Sequence, residues 1–73
     1  MGKLPVISGN EAVKAFARVG WRPVRRHGSH VVMEKPGREE LLSVPLHREL
    51  KRGLLRGLIR DARMTVDEFV AML

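Results

Sequence analysis

Residues 20–45, GWRPVRRHGSHVVMEKPGREELLSVP, settle what kind of sheet this chain can build. Their apolar residues recur with a period near two, whereas the flanking segments follow helical spacing. Trp21 to Arg26 reads as a first strand, and Pro23, which removes a ladder donor, marks it as an edge. His27-Gly28-Ser29 turns the chain, and His30 to Glu34 forms a second strand. Lys35-Pro36-Gly37-Arg38 has the composition of a second turn. A third strand starts at Glu39 or Glu40, runs to Val44 and is ended by Pro45. Turns this short favour an antiparallel meander.

Helical signals bracket the meander. Residues 1–7 read as an extended lead-in, after which Ser8 and Glu11 have the spacing of a capping box. Val13, Phe16 and Ala17 supply an apolar stripe, with Ala12 and Val19 at its margins, and Gly20 is a stop. The spacing predicts helix 9–19. Downstream, Leu50, Leu54, Leu55, Leu58, Ile59 and Ala62 predict a second helix over 51–62. Thr65 and Glu68 form a second capping box, opening a short helix that turns Val66, Phe69, Val70 and Leu73 inward. The order is helix, three strands, helix, short helix. An α+β fold with the helices on one sheet face buries these stripes economically.

Seventy-three residues make a single domain, 1–73. At this size folding buries roughly 60% of the unfolded chain's surface, so stability should be modest. There is no cysteine, which excludes disulfides, thiolate ligands and a catalytic thiol. No segment approaches the about 18 apolar residues of a membrane span, and no signal pattern opens the chain. The expectation is a cytoplasmic protein without membrane partners. Fourteen Lys plus Arg against eight Asp plus Glu leave a net charge of +6. An excess of this kind suits an anionic partner, nucleic acid or an acidic protein; its bland reading is solubility.

The strand alternation sorts residues by face. Val31 and Met33 form one apolar pair, directed at the helices, which leaves His30 on the open face. Val32 suits either side. A lone strand histidine is often incidental, but this one has unusual neighbours. Arg25, Arg26, His27 and His30 place cations and imidazoles within one hairpin. RNA is cleaved without a metal when a base removes the 2′-OH proton and an acid protonates the leaving 5′-oxygen. Histidine, with an ordinary pKa of about 6.5, suits either task. Arginines bind the scissile phosphate and stabilise its developing charge. Gly28 permits the turn, and Ser29 offers a hydroxyl donor. His47, following Pro45, can approach the same face or stay a solvated loop residue.

Arg52, Arg56 and Arg60 recur every four residues on the second helix, with Lys51 and Arg63 nearby, and read either as a solvated face or as a phosphate-binding or acidic-partner surface. One Trp, two Phe and no Tyr provide no stacking platform for bases, and Trp21, Phe16 and Phe69 read as core. RNA contact would rest on phosphates and shape. Three histidines without cysteine or a carboxylate cluster lack a metal-ligand spacing, so no metal or cofactor is expected.

From about Leu4 to Leu73 the chain resembles the HicA toxins, small ribonucleases of type II toxin–antitoxin pairs. The resemblance rests on six segments in order: Ser8 to Glu11, Gly20-Trp21, Gly28-Ser29-His30, Val44 to His47, Glu49 to Ala62 and Thr65 to Phe69. It implies a double-stranded-RNA-binding-like fold, cleavage of messenger RNA with His30 essential, and a HicB-type antitoxin that covers the active surface in a hetero-oligomer. His47 matches a recurrent family histidine. His27 departs from the pattern, where a lysine or another polar residue is commoner, and Leu54 stands where threonine is common. The residues themselves leave two other readings open. One is a non-catalytic basic RNA-binding module, the other a basic adaptor for an acidic protein.

Overall fold

Both predicted capping boxes form. In the computed structural model, which describes residues 3–73, the Ser8 hydroxyl accepts from the Glu11 N–H at 3.1 Å. The Glu11 carboxylate in turn accepts from the Ser8 N–H at 2.9 Å. Helix α1 then runs Gly9–Ala17, two residues shorter than the spacing predicts. Its buried stripe is Ala12, Ala15 and Phe16. Ala17, expected in that stripe, is exposed because it lies about 100° around the helix from Phe16. Met1 and Gly2 of the expected lead-in lie outside the described residues, but Leu4 and Ile7 are buried. The lead-in is fastened by the Ile7 carbonyl, which accepts from the Leu50 N–H at 2.8 Å.

Strands β1 (Arg22–His27), β2 (His30–Glu34) and β3 (Leu42–Pro45) form one antiparallel sheet in the order β1-β2-β3. The first lies at an edge, as Pro23 predicts, and its register is broken by an irregularity between Pro23 and Arg25. It starts one residue later than expected. Trp21 is packed in the core at its entry, and His27 extends the strand by pairing with His30. The third strand begins at Leu42 rather than Glu39 or Glu40. Two charged residues stay in the loop, where the Glu40 carboxylate accepts from Arg63 at 3.1 Å. Pro45 belongs to the strand, opposite His30. A strand end at a sheet edge tolerates its missing N–H.

Helix α2 is Arg52–Asp61, and the short α3 is Val66–Val70. Leu55, Leu58, Ile59 and Ala62 are buried. Leu54, expected among them, is 43% exposed because it falls one position off the stripe they define. Leu73 is likewise exposed, and Met72 packs in its stead. Phe69 meets Phe16 with ring centres 5.0 Å apart and planes at 49°, tying α3 to α1.

The core assigns the sheet faces. Met33, Leu42 and Val44 are fully buried with Trp21 and the helix stripes, and Val31 packs against them. Residues directly opposite in an antiparallel pair share a face. The registers Arg22 with Glu34, Arg25 with Val32, His27 with His30 and Val32 with Ser43 therefore define the open face, which ends at the fully buried Pro45 opposite His30. Val32 is buried there but lies outside the main cluster, at the centre of the sheet with cross-strand partners on both sides.

Candidate functional site

The site is built from the β1–β2 hairpin and the segment leaving β3. Gly28 and Ser29 make a two-residue connection between the paired His27 and His30. Gly28 has φ +55, and Ser29 does not share the positive φ. A positive φ at the first central position alone is the type II′ pattern, which takes glycine there. This turn places His30 as the first residue of β2, exposed on the open face.

The opposite neighbour is equally constrained. The Leu46 N–H donates to the Ser29 carbonyl at 2.6 Å, extending the β2–β3 pairing one step beyond Pro45. His47 follows, and its own carbonyl accepts from the Gly9 N–H at 2.9 Å. Since Pro45 faces His30, the residue two positions on is its diagonal neighbour, a relation that long and aromatic side chains bridge. The two imidazoles meet accordingly, with ring centres 6.3 Å apart and planes at 73°. Both side chains are exposed.

Gly9 is what brings α1 onto this segment. A Cβ built there would lie 2.0 Å from the Pro45 carbonyl oxygen and 2.8 Å from the Leu46 Cα. Only glycine allows the first helical turn to sit on the strand end. From the sequence Gly9 reads as no more than part of a helix start. The one hint was a glycine at a helix position that needs no unusual backbone.

The arginines of the hairpin are separated. Arg25 pairs with Val32 and shares the face of His27 and His30. Arg26 pairs with Val31 and belongs to the other face, where its Nε donates to the Gly28 carbonyl at 3.0 Å. Lys51, Arg52, Arg56 and Arg60 are all exposed, and Arg60 approaches Asp61 at 3.9 Å. Four residues separate His47 from Arg52, so their Cα atoms lie at most about 18 Å apart. From there the stripe rises about 6 Å for each four-residue step. The sole carboxylate among the paired residues of the open face is Glu34. It sits at the far end of β2 and is bridged to Arg22 at 3.5 Å. Among the described residues, no three His, Asp or Glu side chains converge as a metal-ligand set.

An exposed imidazole pair beside an arginine, on a face left open by the helices, can bind a phosphate and move protons. The family of the chain is decided by its own segments. The model of the HicA toxin family, described as the HicA toxin of bacterial toxin–antitoxin systems, matches residues 9–64. The chain belongs to the HicA toxin family. A solved toxin–antitoxin complex from Streptococcus pneumoniae holds a chain similar to this one, with 36% identity and a TM-score of 0.70. The match covers 80% of this chain and 98% of that one. No curated protein sequence matches. The HicA match spans α1, all three strands and α2, so every element that positions the two histidines lies inside it. In this HicA-family chain no described helix is long and apolar enough to cross a membrane.

Proposed function

We propose that this toxin is an endoribonuclease that cleaves messenger RNA without a metal, with His30 in general acid–base catalysis. The observation that carries the reading is the exposed His30 at the head of β2, on the same face as Arg25 and with the His47 ring beside it. RNA carries its own nucleophile in the 2′-OH, so the protein has to supply proton transfer and charge stabilisation. Arg25, His27, Ser29 and His47 surround the scissile phosphate. Gly28 shapes the turn, Arg26 braces it, and the exposed Lys51, Arg52, Arg56 and Arg60 hold flanking phosphates. A HicB-type antitoxin restrains the activity by covering this face in a hetero-oligomer; the similarity to a solved toxin–antitoxin complex supports that partner.

The deciding experiment is expression of wild type beside His30→Ala. Wild type should arrest growth and fragment messenger RNA, with EDTA having no effect on the purified protein. The variant should lose both activities, about 10²–10⁴-fold in rate, while still binding RNA. A His30→Ala protein that cuts RNA at the wild-type rate would remove His30 from the chemistry. The second reading, a non-catalytic RNA-binding module, is favoured by the exposed arginine stripe on α2. It requires salt-sensitive binding with no new RNA ends from the wild-type protein.

A further inference from the structure

We propose that His47 is the second proton-transfer group, so that His30 and His47 divide the two proton movements of RNA cleavage between them. This rests on the endoribonuclease reading. Metal-free cleavage needs two groups, because one proton leaves the 2′-OH while another reaches the departing 5′-oxygen. The O2′–P bond forms as the P–O5′ bond breaks. The base takes the 2′ proton, the acid gives one to O5′, and the products are a 2′,3′-cyclic phosphate and a 5′-hydroxyl. No electron transfer or further reactant enters.

Few side chains here can take the second part. Arg25, as an arginine, offers donors and no acceptor, so it serves only as a charge and donor. Glu34 is at the other end of β2 and is bridged to Arg22. Glu11 is held in the α1 capping box by the Ser8 N–H. His47 has its ring centre 6.3 Å from that of His30, with planes steeply inclined, and both rings are open to solvent. Hydrogen bonds of about 2.6–3.2 Å from each ring can reach oxygens of one phosphate seated between them. The placement is also enforced. Leu46 is bonded to Ser29 and the His47 carbonyl to Gly9, so the backbone on both sides of the imidazole is pinned to the hairpin and to α1. His27 stands opposite His30 in register, but on the hairpin edge, away from the β3 anchor.

The test compares wild type, His30→Ala and His47→Ala on ordinary RNA and on an oligonucleotide whose scissile 5′-oxygen is replaced by bridging sulfur. A thiolate leaves without protonation, so this substrate makes the acid dispensable and leaves the base essential. On ordinary RNA, His47→Ala should lose about 10²–10⁴-fold in rate with little change in RNA affinity. The sulfur substrate should restore one of the two variants, and only one, to within about tenfold of wild type. Wild-type products should carry 5′-hydroxyl ends that a polynucleotide kinase labels directly. The His47 anchors are backbone groups, so the alanine variant should melt with wild type. If it does not, His47→Gln answers the same comparison. Wild-type cleavage of ordinary RNA by a folded His47 variant would overturn the assignment and leave the role of His30 standing. Rescue of both variants or of neither, or 5′-phosphate ends, would overturn the division of labour. A wild-type protein that cuts nothing would overturn the reading beneath it.

Discussion

Gly9 and Pro45 are in contact through the space where a side chain would be: a Cβ on Gly9 would fall 2.0 Å from the Pro45 carbonyl oxygen. This contact joins the start of α1 to the end of β3. It thereby fixes the segment that carries His47, whose carbonyl accepts from the Gly9 N–H. A small backbone fit thus sets the distance between two side chains it does not touch.

Gly9→Ala should therefore act on both stability and activity. The added methyl group meets backbone, which cannot swing aside, and overpacking of this kind costs about 1–3 kcal/mol. Chemical denaturation measures the loss. Cleavage by the fraction still folded should also fall, because Pro45 and Leu46 must move away from α1. Full retention of activity at reduced stability would separate the anchor from the chemistry.

Arg25 and Arg26 are adjacent in sequence but lie on different faces. Arg25→Ala should weaken RNA cleavage by roughly tenfold, the scale of one charge-assisted contact of 1.5 kcal/mol or so. Arg26→Ala should have a smaller effect on cleavage, because its guanidinium braces the Gly28 carbonyl. Steady-state rates for the two variants check the order; the reverse order would contradict the face assignment.

The α2 stripe is tested by salt. Replacing Arg52, Arg56 and Arg60 together with Gln should weaken RNA binding and flatten its salt dependence. For three phosphate contacts on a single strand, the log–log slope should fall by about 2. An unchanged slope identifies the stripe as a solvated face.

Glu40 gives a prediction in pH. Hydrogen bonding to its own backbone N–H, and then to the Arg63 guanidinium, holds its carboxyl below the usual carboxylate range. A lowered native pKa means that the unfolded chain binds the proton first on acidification. The stabilising contribution is therefore complete above the ordinary value of 4.5 and is lost as pH falls through the lowered native value. The pair is exposed, so the effect should be small. Glu40→Gln should melt slightly below wild type at neutral pH and together with it in strong acid.

Phe69 is the packing test. It is fully buried against Phe16, and Phe69→Ala should cost about 3–5 kcal/mol. In a domain this small that is a large share of the total, so circular dichroism should find the variant mostly unfolded at growth temperature.

Much of the architecture follows from local rules that operate over a few residues. Both capping boxes, the edge position of the Pro23 strand, the Gly28-Ser29 turn and the helix-facing pair Val31 and Met33 are legible in the residues themselves. Each depends on backbone geometry with a short period. The exchanges of Ala17 for Ala15 and of Leu73 for Met72, and the exposure of Leu54, were not legible. Which apolar residue at a stripe's margin is buried depends on the element packed against it. The late start of β3 was not legible either: Glu40 stays in the loop, where its partner Arg63 comes from a segment distant in the chain.

The candidate site divides in the same way. The sequence alone determined that His30 begins a strand after a tight turn, with cations beside it, because turn chemistry and strand parity are local. It left open which of Arg25 and Arg26 shares the face of His30, because it placed His27 in the turn, whereas His27 pairs with His30 in the strand. Nor could it pair His30 with His47. That meeting depends on the register of β2 against β3 and on α1 resting on Pro45 through Gly9. Those are contacts between segments distant in the chain, and only the tertiary structure decided them.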